Sequence, residues 1–152
     1  MRTRIRAAGV AIHNDCILLH RCLDFWVLPG GEVERESSAD ALVRECSEEL
    51  GLPARVGRLL WIVENFFDYE GELEQSIEFY YELSFPQHAE IYKQSEIQGY
   101  EHEGDEPLLF IWQPLEQLEE ITILPECLPS RLKACQHGLP QQIEHIVNNQ
   151  PE

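Results

Sequence analysis

Three glutamates have a spacing that could do chemistry. Glu45, Glu48 and Glu49 lie at i, i+3 and i+4, so on a helix of about 100° per residue their carboxylates share one face. Like charges at this spacing repel by about 0.2–0.5 kcal/mol per pair in isolation, and a bound divalent cation would reverse that sign. Carboxylate oxygens suit Mg²⁺ or Mn²⁺. The spacing favours a metal site, and the alternative is an ordinary solvated charged face.

A well-delimited helix must position these carboxylates. Ser37 and Ser38 open the segment with an N-cap oxygen, Asp40 lies in the first turn, and Gly51 is placed for a C-terminal cap. An apolar arc is expected to anchor the helix on the core, formed by Ala39, Leu42, Val43, Cys46 and Leu50.

Strands are predicted on both sides of this helix. Arg4 to His20 indicates two strands joined by a turn at Asn14-Asp15, and a short apolar run follows from Phe25 to Leu28. Two segments rich in aromatic and β-branched residues predict a long hairpin, Arg58 to Phe67 and Gln75 to Phe85. The pattern of strands interspersed with a helix predicts a layered α/β or α+β fold.

The last third of the chain is less regular in sequence. Residues 86–106 are expected to form an irregular acidic stretch, followed by a strand from Leu108 to Trp112 and a short helix from Leu115 to Glu120. Ser130 to Asn148 is expected to form one or two helices interrupted near Gly138 and Pro140. No repeat or linker divides the chain, so one domain over residues 1–148 with a short tail at 149–152 is expected.

Composition narrows the classes of function. The 152 residues carry 11 Lys plus Arg against 28 Asp plus Glu, a formal net charge of −17 that repels nucleic-acid polymers and anionic membranes. An anionic substrate would then need local neutralisation, which a divalent metal usually supplies. Five scattered cysteines without a C-x-x-C pair indicate reduced thiols. With no signal-peptide pattern or membrane-length apolar run, a cytoplasmic location is expected.

From Gly30 to Leu52 the chain reads GGEVERESSADALVRECSEELGL. This segment resembles the Nudix box G-x5-E-x7-R-E-U-x-E-E-x-G-U, with Cys46 and Leu52 at the apolar U positions. Counted from Gly31, the loop before Glu36 is one residue shorter than in relatives that begin the box at the second glycine, which leaves the loop conformation open. The resemblance implies an α/β/α sandwich with a mixed sheet between helices.

The resemblance also implies roles for residues of the box. Nudix hydrolases use a divalent metal, here Mg²⁺ or Mn²⁺, to direct water at a phosphorus atom of a nucleoside diphosphate linked to another moiety. Glu45, Glu48 and Glu49 would be metal ligands and, with Arg44, the catalytic residues. The carbonyl of Gly30 or Gly31 would complete the metal shell, and Glu36 would brace the loop.

Residues outside the box could bind the substrate or act as base. The acidic loop offers Glu101, His102, Glu103, Asp105 and Glu106 as bases or contacts, although plain surface is the more common role of such a loop. Arg4 and Arg6 alternate on one strand face and could bind a phosphate. Stacking on a base could come from aromatic residues of the hairpin, which otherwise pack in the core or a dimer interface: Trp61, Phe66, Phe67, Tyr69, Tyr80 and Tyr81.

Several functions remain open from the sequence. The leading hypothesis is a metal-dependent pyrophosphohydrolase acting on a small nucleotide, whether a nucleotide sugar, an ADP-ribose-like ester, a dinucleotide or a nucleoside triphosphate. Isomerase chemistry also occurs on this fold. A nucleotide-binding sensor without catalysis is the main alternative, and an acidic module that binds a basic protein is a third. A homodimer is a further possibility.

Overall fold

The computed structural model describes residues 3–100 and 107–149. Within these ranges the strands are β1 (Thr3–Val10), β2 (Ile12–His13), β3 (Cys16–Cys22), β4 (Phe25–Val27), β5 (Gly30–Glu32), β6 (Arg55–Tyr69), β7 (Glu72–Ser84), β8 (Glu96–Tyr100), β9 (Pro107–Pro114) and β10 (Glu144–Asn149). The α-helices are α1 (Ser38–Leu50) and α2 (Leu128–Ala134), and 3-10 turns span Glu90–Lys93, Leu115–Glu120 and Cys135–His137.

The strands form two sheets. The first has the order β10-β6-β7-β1-β5 and is mixed, because β1 runs parallel to β7 and β10 runs parallel to β6 while the other pairs are antiparallel. The second has the order β2-β3-β9-β8, with β4 added to β3, and is antiparallel. This architecture confirms the predicted α+β class with a mixed sheet.

Helix α1 begins and ends where its capping residues predict. The Ser37 hydroxyl accepts a hydrogen bond from the Asp40 amide at 3.1 Å, and Gly51 adopts a left-handed φ of 66°. The predicted apolar arc is partly wrong, because Val43 is exposed and Ala41 is buried. The buried residues of α1 include Leu42 and Cys46, and they also include Glu49, one of the three predicted glutamates.

Two hydrophobic clusters hold the layers together. One packs α1 against both sheets through residues that include Ala7, Leu42 and Phe110. The other packs α2 and the 3-10 turn at Leu115–Glu120 against the sheets through residues that include Trp61 and Leu132. Among the described residues, no helix has the length and apolar content that would let it cross a lipid bilayer.

Two predictions for the last third of the chain are wrong. Residues 86–100 are not simply irregular, because they contain a 3-10 turn and strand β8, which gains regular structure by pairing with β9. Helix α2 is followed not by a second helix but by β10, whose alternating burial has the period of a strand. Parallel pairing with the distant β6 supplies the backbone partners of β10.

Candidate functional site

Helix α1 brings the three predicted glutamates together. The Arg44 guanidinium donates from Nη1 to Glu45 Oε1 at 3.0 Å and to Glu48 Oε2 at 3.2 Å. The side chains of Glu45 and Glu48 are 16% and 25% exposed, and Glu49 as a residue is only 8% exposed. The face is therefore recessed, which distinguishes it from a solvated charged surface.

Arg44 also ties the loop that precedes the helix to the helix itself. Its Nε and Nη2 donate to Glu36 Oε1 at 3.0 and 2.7 Å, and Nη2 donates to the Glu32 carbonyl at 3.1 Å. The hydrogen bond to Arg44 lowers the pKa of Glu36 below its usual value, and the same pair raises the pKa of Arg44. Glu36 and Arg44 thus occupy the positions expected of a brace between loop and carboxylates.

The environment of Glu49 is suited to a cation. Burial, together with the neighbouring Glu45 carboxyl, raises the pKa of Glu49 to about 9, although the Arg6 guanidinium opposes the shift. An additional positive charge beside these carboxyls would favour their ionised form. Among the described residues no three metal-ligating side chains already converge on one point, since Arg44 lies between Glu45 and Glu48. The oxygen donors fit a hard divalent cation after side-chain rearrangement.

Gly30 and Gly31 lie in β5 and pair with Ala8 and Ala7 of β1. A Cβ at Gly30 would lie 2.0 Å from the Ala7 carbonyl oxygen. A Cβ at Gly31 would lie 2.3 Å from the carboxyl carbon of Glu45. The glycine pair therefore lets the backbone approach both β1 and the first carboxylate of α1, which is where the resemblance places a carbonyl ligand.

A cavity of about 320 Å³ opens between the two sheets beside this cluster. Arg4 and Arg6 of β1 line it, as do aromatic side chains at Phe25 and Phe67. Arg6 connects the cavity to α1, because its charge acts on Glu49 while its Nη2 donates to the Leu28 carbonyl at 2.6 Å. The α1 carboxylates line neither this cavity nor a larger surface concavity of about 590 Å³, and of the two only the smaller cavity is lined by Arg6.

The cavity has a buried polar floor. The Tyr80 hydroxyl donates to Glu78 Oε1 at 2.5 Å, and Asn65 Nδ2 donates to Glu78 Oε2 at 3.2 Å. Asn148 Nδ2 in turn donates to Asn65 Oδ1 at 2.9 Å. Glu78 is 5% exposed and Asn65 is 6% exposed. A connected polar chain of this kind fixes side-chain positions at the base of the cavity.

His20 lies in the cavity wall with both ring nitrogens buried and without a hydrogen-bond partner among the described residues. Burial lowers the pKa of His20 to about 3, and the nearby Arg6 charge contributes to the shift. The imidazole is therefore neutral near pH 7, with a hydrogen on one ring nitrogen and a lone pair on the other.

The remaining predicted residues are dispersed. Phe67 lines the cavity, whereas Phe66 lies at the alternate position of β6 and does not line it. Trp61 is buried in the core, Tyr69 is exposed near the hairpin tip, and Tyr81 shares a hydrogen bond with Ser38. The acidic candidates of the loop lie outside the described residues: Glu101, His102, Glu103, Asp105 and Glu106.

Of the polar residues that line the cavity, Arg4, Arg6 and Tyr80 were predicted from the sequence, whereas others were missed, among them His20, Asn65, Ser76 and Glu78. Ser76, Glu78 and Tyr80 occupy alternate positions of β7, so that three side chains able to hydrogen-bond share one strand face. This alternation was a usable signal for a polar cavity. His20 ends an apolar run and carries no such local signal, because only the assembled sheets bury it.

Comparisons with known proteins agree with this geometry. The family model for the NUDIX domain matches residues 3–131. The chain is 49% identical over 43 residues to diphosphoinositol polyphosphate phosphohydrolase 2 of Homo sapiens, a match covering 28% of this chain and 24% of that protein. The matched segment thus spans about a quarter of the relative's length.

Solved structures share the fold. The E. coli ORF135 protein is 23% identical, with a TM-score of 0.59 and coverage of 93% of this chain and 96% of that one. An ADP-ribose pyrophosphatase from Streptococcus suis is 18% identical, with a TM-score of 0.58 and coverage of 95% and 98%. The family match confirms the resemblance to the NUDIX family. The chain belongs to the NUDIX family.

Proposed function

We propose that this protein hydrolyses a phosphoanhydride bond in a nucleoside diphosphate derivative, with Mg²⁺ or Mn²⁺ as cofactor. The observation that carries the proposal is the carboxylate face of α1, where Arg44 donates to both Glu45 and Glu48 beside Gly31. Arg6 lines the cavity, and its charge opposes the rise in the pKa of Glu49. A substrate held in the cavity would therefore extend its diphosphate past Arg6 toward α1.

The α1 carboxylates are proposed to hold the metal. Glu45, Glu48 and Glu49 supply oxygen ligands, and the Gly30 carbonyl is the proposed backbone ligand. When bound, the metal supplies neutralisation of phosphate charge and activation of water. Arg44 keeps Glu45 and Glu48 on one side of the helix, and its bonds to Glu36 fix the loop against α1.

The cavity is proposed to hold the nucleoside. Phe25 and Phe67 provide apolar surface of the size and shape that a base can contact, while Arg4 and Arg6 provide guanidinium donors for phosphate oxygens. The Nε of Arg4 is buried without a hydrogen-bond partner among the described residues. Both arginines lie on β1, two residues apart, so they face the same side of the sheet.

The known relatives suggest more than one substrate class. One is named for diphosphoinositol polyphosphates and another for ADP-ribose. A highly phosphorylated inositol would need many cations, whereas this cavity also contains Glu32, Glu78 and apolar walls. The mixed lining favours a nucleotide. A cytoplasmic location, a homodimer, and a single domain at 1–148 with a tail at 149–152 remain predictions.

A substrate panel tests the proposal. Nucleoside triphosphates, ADP-ribose, sugar nucleotides and dinucleotides are incubated with Mg²⁺ or Mn²⁺, and the products are separated by chromatography. We expect metal-dependent release of a nucleoside monophosphate or its phosphorylated partner, with loss of turnover in Glu49→Gln. Glu64→Gln is the matched control, because Glu64 contacts His145 and does not line the cavity. Nucleotide binding without turnover in either protein would favour the sensor alternative.

A further inference from the structure

Glu78 offers two directed acceptors at the cavity floor. Glu78 as a residue is 5% exposed, and it lies on the same strand face as Ser76 and Tyr80. One oxygen accepts from the Tyr80 hydroxyl and the other accepts from Asn65. These two bonds orient the carboxylate, and the four lone-pair sites of a carboxylate leave further acceptor capacity on both oxygens.

Polar groups around Glu78 support a ligand role rather than a purely structural one. His20 lines the same cavity with two buried nitrogens that have no partner among the described residues. The neutral imidazole adds a further polar group to the lining of this cavity. Phe25 and Phe67 supply apolar walls for the same ligand.

The acceptor pair selects among the nucleobases. A carboxylate binds best to two adjacent N–H donors, and guanine presents N1–H beside the exocyclic N2 amino group. Adenine and cytosine each place a ring acceptor beside their amino group, and uracil places carbonyls beside its N–H. Hypoxanthine keeps N1–H and lacks the amino group. Guanine therefore matches the carboxylate in a way that the other bases do not.

We propose that Glu78 is a specificity-determining residue that binds the N1–H and N2 amino edge of a guanine base in this cavity. The inference rests on the proposed function, since it assigns the base of the same nucleotide substrate. Asn65 and Tyr80 are the positioning residues, because their hydrogen bonds fix the Glu78 oxygens.

Equilibrium binding separates this inference from the catalytic proposal. The affinities of GDP and IDP are measured by calorimetry, since these ligands differ only by the 2-amino group. We expect GDP to bind about tenfold or more tightly than IDP. In Glu78→Gln the preference should collapse toward unity, because the amide presents a donor where the carboxylate presents an acceptor. Glu64→Gln should retain the preference of the unmodified protein.

Equal affinities for GDP and IDP in the unmodified protein would overturn the inference, as would a GDP preference that survives in Glu78→Gln. If Glu78→Gln does not fold, Tyr80→Phe removes one of the two hydrogen bonds that orient the Glu78 carboxylate. It should lower the ratio of GDP to IDP affinity, and an unchanged ratio would overturn the inference. A guanine preference without hydrolysis of any nucleotide would retain the inference and reject the proposed function.

Discussion

Gly31 lies so close to Glu45 that a Cβ atom on the glycine would approach the carboxyl carbon to 2.3 Å and Oε1 to 2.4 Å. The missing side chain at residue 31 is therefore what allows the first carboxylate of α1 to lie against β5. Through Gly31, the pair Gly30 and Gly31 of β5 therefore lies directly beside the carboxylates of α1.

Alanine at these two glycines should have different effects. Gly31→Ala displaces a flexible carboxylate, so the free energy of unfolding should change by less than about 1 kcal/mol while turnover falls about tenfold or more. Gly30→Ala meets the backbone oxygen of Ala7 at 2.0 Å, which cannot move as easily. It should lower the free energy of unfolding by about 1–3 kcal/mol. Urea denaturation and initial rates measure both. Equal stability loss in the two variants would contradict this account.

Arg44→Lys tests the guanidinium network. Lysine keeps the charge but cannot reach Glu36, Glu45 and Glu48 with a planar fork, so the carboxylates lose their common partner. The ion pairs are partly exposed, and we expect a stability loss of about 1 kcal/mol or less. Turnover should fall about tenfold, with a raised metal requirement. Steady-state kinetics at several Mg²⁺ concentrations measure this, and unchanged kinetics would reject a positioning role for Arg44.

His20 should make the protein sensitive to acid. Burial and Arg6 lower its folded-state pKa to about 3 from the ordinary value of 6.5, so the unfolded chain binds the proton more readily. The associated stability is present above about pH 6.5 and is lost as pH falls toward 3. When the pH is lowered from 7.5 to 4.5, the free energy of unfolding of the unmodified protein should fall by about 2–3 kcal/mol more than that of His20→Gln. Chemical denaturation at the two pH values measures this difference, and an equal fall in both proteins would contradict the prediction.

Gly99 on β8 should be intolerant of a side chain. A Cβ there would lie 2.5 Å from the Glu49 carbonyl oxygen and 2.6 Å from Phe110 Cε2, so β8 and α1 would have to separate. Gly99→Ala should lower the free energy of unfolding by about 1–3 kcal/mol. Gln98→Ala, at an exposed position of the same strand, is the matched control. Chemical denaturation measures both, and equal stabilities would refute close packing at Gly99.

Local signals explain what could be predicted from the sequence. The capping residues Ser37 and Gly51 and the spacing of the three glutamates depend on neighbours within a few residues, so helix α1 and its acidic face were predictable. Strand β10 depends on pairing with the distant β6, which a local pattern does not reveal. Strand β8 pairs with β9, the next strand along the chain, and was missed in a stretch without a clear strand pattern.

The polar residues of the cavity also come together only through contacts between separate strands. Glu78 contacts Asn65, and Asn65 contacts Asn148, although 13 and 83 residues separate these pairs in sequence. Only the parallel and antiparallel registers of β10, β6 and β7 bring them together. The hypothesis of a metal site could be drawn from one helix, whereas the proposed nucleoside site could be recognised only in the assembled sheets.

The most direct test of the central claim is the rate of nucleotide hydrolysis as a function of Mg²⁺ concentration in the unmodified protein and in Glu49→Gln, with Glu64→Gln as control. We expect the rate to saturate with Mg²⁺ concentration and to fall at least about a hundredfold in Glu49→Gln. In Glu64→Gln the rate and its Mg²⁺ dependence should be unchanged. Hydrolysis that persists in the presence of EDTA, or a Glu49→Gln protein as active as the unmodified one, would contradict the central claim.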